Sequence, residues 1–238
     1  MSTAPGTDTN PTTDTVYDLA EVSLREVNRA LHAPELTGPI TITNPRGAHA
    51  VAAGIDAAAE ITVEGHVGYY AAGMNKRASI TITGNAGVGV AENMMSGRVH
   101  VQGNASQSAA ATAHGGLLVV DGDAAARCGI SMKGVDIVVG GSIGHMSAFM
   151  AQAGRLVVRG DAGDALGDSI YEARIYVRGE VASLGADCTP KEMREEHHAE
   201  LRELLEAAGY TQDSTADYTR YGSARQLYHF TTDNAGSY

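Results

Sequence analysis

Five aspartates, Asp121, Asp123, Asp161, Asp164 and Asp168, stand beside or near glycine turns, and paired carboxylates are the acid and base of sugar-cleaving enzymes. Asp121 and Asp123 flank Gly122, and Asp161 follows Gly160, a pattern that admits carboxyl groups at the ~5.5 Å of a retaining or the ~6.5 to 9.5 Å of an inverting mechanism. Against this, aromatic residues make up only 5% of the chain, with no Trp, so a groove that stacks sugar rings is poorly supplied. Nine histidines invite a metal reading, yet His66, His100, His114 and His145 fall in different columns of the repeat set out below. His66 and His145 lie four repeats apart, roughly 19 Å at one strand spacing per repeat. His197 and His198 read as a solvated pair on the outer side of an acidic helix. Cys128 and Cys188 are too few for a zinc or iron–sulfur site. The fragments Gly84-Asn-Ala-Gly87-Val-Gly89 and Gly141-Ser-Ile-Gly144 look like phosphate loops, but such loops open a helix, whereas these glycines recur with the repeat.

The elements that must position these residues follow from one period. Ile61-Thr-Val63, Ile80-Thr-Ile82, Val99-His-Val101, Leu118-Val-Val120, Ile137-Val-Val139, Leu156-Val-Val158 and Ile175-Tyr-Val177 begin 19 residues apart, and a glycine follows each at 65, 84, 103, 122, 141, 160 and 179. Alternate strand residues face inward, and Val67, Ala86, Ala105, Ala124, Ile143, Ala162 and Val181 form a further inward ladder. The column Ala72, Ala91, Ala110, Gly129, Ala148 and Gly167 is small, as a narrow interior requires. One copy is one coil, and the fold class expected is all-β: a parallel β-helix of about seven 19-residue coils, ~4.8 Å apart, with short flanking helices and an extended C-terminal tail.

Gly65, Gly84, Gly103, Gly122, Gly141, Gly160 and Gly179 are structural turn residues, supplying a positive φ or a close backbone approach. The polar column after them, His66, Asn85, Asn104, Asp123, Ser142, Asp161 and Glu180, reads as a ladder that bonds neighbouring amides.

The chain divides into a disordered N-terminus (1–15), an N-terminal capping helix (16–39), the β-helix (40–188), a C-terminal helix (189–209) and an aromatic-rich docking tail (210–238). Ser23-Leu-Arg-Glu26 is a capping box opening a helix that ends near His32. Thr189-Pro-Lys-Glu192 reads as a second box, and Gly209 as the stop of its helix, whose stripe Met193, Leu201, Leu204, Leu205 and Ala208 docks on the solenoid. Half of the 10 Tyr follow Gly209, so Tyr221, Arg225 and Tyr228 are interface candidates, either for a partner or for the chain's own coils. A second interface candidate is the ridge Arg155, Val157, Arg159 with Arg174, Tyr176, Arg178, extended by Val138 and Val119. Either the acidic C-terminal helix covers it or a partner subunit does.

With 28 acidic and 17 basic residues the formal charge is −11, which repels nucleic acid and anionic lipid, so neither is an expected partner. The opening lacks a basic start and an apolar core, and no membrane span is present, which points to a cytoplasmic protein.

Val27-Asn-Arg-Ala30, Leu36-Thr-Gly38, Gly65-His-Val-Gly68, Gly73-Met74, Gly84-Asn-Ala-Gly87-Val-Gly89, Met95-Ser-Gly97 and Gly160-Asp-Ala-Gly163 together resemble the C-terminal GXGXG β-helix domain of the glutamate synthase large subunit. Ser183-Leu-Gly-Ala-Asp-Cys188 and Arg220-Tyr-Gly-Ser-Ala-Arg225-Gln-Leu-Tyr-His-Phe230 are similar to the stand-alone form, the β-helix subunit of N-methylglutamate synthase. The resemblance implies a right-handed helix acting as a non-catalytic subunit of a hetero-oligomer. Its expected partners are an amidotransferase-like subunit and an FMN-dependent synthase-like subunit, with FMN and an iron–sulfur cluster in the latter and no cofactor in this chain. Position 2 is Ser where a glutaminase of this class needs a Cys nucleophile. The alternative is an independent β-helix polysaccharide lyase or hydrolase that uses the corner Asp residues.

Overall fold

A strand of three or four residues cannot satisfy its own backbone, so each triplet must find partners in the copies before and after it. In the computed structural model, which describes residues 15–33, 36 and 38–225, it does so in register. The elements are β1 (Thr15–Asp18), α1 (Leu24–Leu31), β2 (Pro39–Thr43), β3 (Glu60–Val63), β4 (Ser79–Ile82), β5 (Arg98–Val101), β6 (Leu117–Val120), β7 (Lys133–Val139), β8 (Ala153–Val158), β9 (Arg174–Val177), β10 (Cys188–Lys191), α2 (Glu195–Ala207), a 3-10 turn (Thr215–Asp217) and β11 (Thr219–Ser223).

One sheet runs from β1 to β9 with every neighbour parallel, and Ile61, Ile80, Val99, Leu118, Ile137, Leu156 and Ile175 pair in succession. The fold is thus the parallel β-solenoid of about seven coils that the repeat implies. The inward ladder from Val67 to Val181 forms a second line of parallel bridges. Two features lie outside the period. Ile40 and Ile42 of β2 pair with Ile61 and Val63, a step of 21 residues, and β1 pairs with β2, so the segment read as a capping helix alone also opens the sheet.

The corners explain the glycine column. Only Gly65 has a positive φ; the other six are glycine because of close approach. A Cβ on Gly122 would lie 2.1 Å from Asn104 Oδ1, on Gly141 2.1 Å from Asp123 Oδ1 and on Gly179 2.2 Å from Asp161 Oδ1. Those oxygens are in place because the polar column is a continuous ladder. The Asn85 amide donates to His66 Nδ1, Asn104 to Asn85 Oδ1, Asp123 to Asn104 Oδ1, Ser142 to Asp123 Oδ1, Asp161 to Ser142 Oγ and Glu180 to Asp161 Oδ1, all at 2.8–2.9 Å.

The return legs differ from expectation in backbone rather than in size. The small column is buried, as a narrow interior requires, but it is also left-handed, with φ of 52–68°. Positions two before it (Tyr70, Ser108, Arg127, Met146) and two after it (Met74, Asn93, Thr112, Ser131) are left-handed as well. Each such non-glycine residue costs about 1–2 kcal/mol. The conformation persists because it aims amides at the adjoining coils: Ala91 donates to Ala71 O at 2.9 Å, Ala110 to Val90 O at 2.8 Å and Met74 to Glu92 O at 2.8 Å.

The ends are closed differently. At the first, Ser23 caps α1, with Glu26 returning to the Ser23 amide, and the cap at the other end is His32, as the capping box predicts. At the second, Thr189-Pro-Lys-Glu192 is not a helix start. Residues Cys188–Lys191 are β10, antiparallel to β11, which is itself antiparallel to β9. Pro190 is tolerated because β10 is the sheet edge, where its missing N–H deprives no neighbour. The helix begins after Arg194, and Gly209 ends it at φ +90° as expected. The Gly209 amide donates to Glu206 O and Tyr210 to Leu205 O, a complete Schellman motif.

The polar ladder makes a direct prediction. Asp123→Ala removes the acceptor of the Ser142 amide and should lower the unfolding free energy by about 0.5–1.5 kcal/mol, whereas Asp123→Asn keeps that acceptor and should stay near wild type in denaturant titrations. Equal losses in both would assign the effect to charge instead.

Candidate functional site

The outward strand column changes character along the rod. Thr62, Thr81 and His100 are partly exposed, while Val119, Val138, Val157 and Tyr176 are 0% exposed. The change marks where α2 lies: Leu201, Leu204, Leu205 and Ala208, with Met193 and Tyr210 at the margins, pack on these four residues and Tyr218. Of the two covers that the sequence left open for the ridge, this chain supplies its own. Val157 and Tyr176 are therefore buried within the chain rather than presented to a partner.

Two columns of charge flank the apolar strip. On one side Arg98, Asp136, Arg155 and Arg174 receive α2 itself. Arg155 grips Asp136 through two bonds, at 2.7 and 2.5 Å, and lies 3.8 Å from Glu200; Arg174 and the Tyr176 hydroxyl both donate to Glu200. Arg98 donates to Ala207 O at 2.8 Å, supplying a cation at the C-terminus of a helix whose last turn has none. On the other side Asp121, Gly140, Arg159 and Arg178 receive the segment after α2. Arg159 holds Asp213 at 2.6 and 2.9 Å, Arg178 adds a bond at 3.2 Å and the Tyr218 hydroxyl another at 2.8 Å. The Tyr210 ring lies 3.9 Å beneath the Arg159 guanidinium and its hydroxyl donates to Asp121 at 3.2 Å, in space that Gly140 leaves open.

The Arg159 guanidinium and, after it, the Tyr218 hydroxyl hold the Asp213 carboxyl below its ordinary value. Burial lifts the Tyr176 and Tyr218 phenols above theirs, and their carboxylate partners add to it.

Glu200 is one of the six acidic residues, Glu192, Glu195, Glu196, Glu200, Glu203 and Glu206, with which the sequence equips the helix to cover the ridge, though nothing singles it out there, and Asp213 is missed altogether. Its place four residues before Leu204 on the apolar stripe is the signal that could have marked Glu200; Asp213 lies in a segment with no periodicity to place it. The paired histidines need correcting too. His197 is buried, 7% exposed, with Nδ1 accepting from the Arg194 amide at 3.1 Å, because the third position of a helix points back to its cap. Burial lowers its pKa. His198 contacts Thr215 Oγ1 at 3.0 Å.

The corner aspartates are acceptors inside the fold. Asp123 and Asp161 are rungs of the ladder, Asp164 accepts from Ser183 Oγ, Asp168 from Ser169 Oγ and the Ala186 amide, and Asp121 meets His100 at 3.0 Å. Among the described residues no three His, Cys, Asp or Glu side chains are grouped to hold a metal ion. Burial pushes the Cys128 thiol up to about 12 and the Cys188 thiol up to about 11, so neither is a nucleophile near neutral pH. Of the tail candidates, Tyr221 lies in β11 opposite Ile175, and Arg225 pairs with Asp187 at 2.5 Å and sits over the Tyr171 ring at 5.9 Å. Tyr228 lies outside the described residues. Also among the described residues, no helix is long and apolar enough to cross a membrane.

Comparison with known proteins finds Protein GlxC of Rhizobium meliloti (strain 1021) 60% identical over 226 residues, which is 94% of this chain and 99% of that protein. No family model matches the chain.

The docked helix yields two predictions. Arg174→Glu faces Glu200 with a like charge and should lower the melting temperature of the isolated chain by about 2–4 °C, for a loss on the order of 1 kcal/mol. Leu204→Ala, which empties part of the seam, should cost more, about 2–5 kcal/mol; the reverse order would mean that charge rather than apolar burial holds α2. The second concerns pH. Asp213 binds its proton less readily in the folded chain, so its stabilisation is complete above the unfolded value of about 3.9 and is lost as pH falls through the lowered one. Amide exchange in α2 should accelerate over that acid range, and Asp213→Asn should flatten the response.

Proposed function

The chain belongs to the family of Protein GlxC, and from that footing we propose that it is a non-catalytic structural subunit of a glutamate-synthase-like complex. In this reading it joins a glutamine amidotransferase-like subunit to a synthase-like subunit carrying FMN and an iron–sulfur cluster, in glutamate or N-methylglutamate metabolism in the cytoplasm. The observation that carries it is the commitment of the chemistry-bearing groups to the rod itself. Asp123 and Asp161 hold the amides of the next coil, Asp121 holds His100 and Tyr210, and both thiols are buried. A body built this way contributes position. Holding two reacting centres at a fixed separation is worth large effective concentrations with no local chemistry. The order of the glycine and Asn-Arg-Ala elements, set out above, supplies the glutamate synthase link.

The same commitment weighs against an independent lyase or hydrolase, since Asp123 could not swing toward a substrate without surrendering its rung.

The test is purification of the tagged full-length chain from its native host. Co-elution with a flavoprotein that shows FMN absorbance and with an amidotransferase-like subunit is the expected result, and the isolated chain should turn over neither glutamine nor glutamate. Recovery of the chain alone, with no flavin in the material, would sink the scaffold reading. Polysaccharide cleavage lost in Asp123→Asn would replace it with the alternative.

A further inference from the structure

α2 already covers the strand face of the later coils, so a partner must be received elsewhere. We propose that the N-terminal end of the rod, made of the outer side of α1 and the return legs bearing Tyr69 and Val88, docks a partner subunit whose surface has an apolar centre bordered by carboxylates. This deepens the scaffold reading and rests on it.

The apolar half of the surface is a run rather than a scatter. Tyr69, Met74, Val88 and Met95 are 55%, 45%, 48% and 45% exposed and belong to two adjoining coils. One coil further on, the corresponding places hold Gln107, Thr112 and His114, and exposed apolar side chains return to these columns on later coils at Met150 and Tyr171. Isolated exposed apolar side chains are ordinary, but four on neighbouring coils are the mark of a covered patch. Tyr69 is also held ready, its ring stacked on His49 at 3.6 Å between centroids, so little rotamer freedom remains to be lost on docking.

The charged half is α1. Leu24, Arg25, Asn28, Arg29 and His32 line a shallow groove of about 540 Å³. Its other polar groups are committed, Asn28 to Ala50 O and the Ala52 amide and His32 to Ala53 O, and Glu26, outside the groove, is held by the Ser23 cap. Arg25 and Arg29, one turn apart and exposed, have no ion-pair partner among the described residues; the same holds for Arg46, Arg127 and Arg202, which stand singly, whereas Arg155, Arg159, Arg174, Arg178 and Arg225 are paired. Two guanidinium groups that share only the neighbouring Glu26, on a chain of net charge −11, select carboxylates and steer their approach. The two halves belong together, because α1 is bonded to the return leg at Ala50–Ala53, and the Ala72 amide of the next leg donates to Val51 O at 2.9 Å.

The test uses the assembly purified through the tagged full-length chain. Arg25→Lys with Arg29→Lys places amines in the groove for a zero-length carbodiimide cross-linker, and cross-linked peptides joining them to an Asp or Glu of another subunit are expected. Cross-links only to a second copy of this chain, or only within it, overturn the proposal. In a second arm, Arg25→Glu combined with Val88→Asp should reduce the recovered partner subunits at least tenfold while the isolated chain melts as wild type, and Lys133→Glu, exposed on a later coil, should change nothing. Undiminished recovery overturns the surface and leaves the scaffold reading in place. Absence of any partner from the wild-type purification removes both.

Discussion

No coil of this protein can satisfy its own backbone, and everything else in the structure depends on that. Each turn offers amides to the turn beside it, at the strand, at the polar corner and on the return leg, and only the spacing of 19 residues brings those three sets into register together. Side-chain volumes follow from the same requirement. Apart from Gly65, the corner glycines are kept free of a Cβ by backbone or side-chain atoms of the preceding coil, and the return legs carry alanine or glycine where neighbouring backbones converge.

Once the rod exists, its outer face becomes a surface with columns, and the C-terminal segment reads them. The switch from Thr62 and Thr81 to Val119, Val138 and Val157 tells α2 where to lie, and the flanking arginine columns fix its angle through Glu200, Asp213 and the Ala207 carbonyl. Apolar burial, at about 1.5–3 kcal/mol for each large side chain, outweighs the partly exposed ion pairs, whose individual worth is about 0–1 kcal/mol. The charges therefore select the pose, while the seam supplies most of the attachment.

Much of this is legible in the residues. The period, both inward ladders, the amide-bonding role of the polar column, the first capping box and the docking stripe of α2 can be read directly, because each rests on a repeated spacing. What could not be read shares the opposite property. The 21-residue step to β2 and the pairing of β1 occur once, so no repeat announces them. Thr189-Pro-Lys-Glu192 satisfies the local rule for a helix start, but the edge left open by β9 recruits it as a strand, a tertiary demand overriding a local preference. The left-handed return legs were hidden because Tyr70, Arg127 and Thr112 are not residues that advertise such a backbone. At the candidate site, the arginine ridge was found from its columns, whereas its carboxylate partners lie in segments where one helical residue and one loop residue do the pairing.

The proline in the edge strand at the far end bears on how the molecule behaves in a crowd. A stack of parallel strands is a template for its own continuation, and identical rods would be liable to join tip to tip into fibres. Here β11 alone runs against the coils, β10 at the rim returns to their direction, and Pro190 withholds a donor from that outermost rim. A following rod would meet that gap in the row of donors, so a single proline works against the concatenation that a body built by repetition invites.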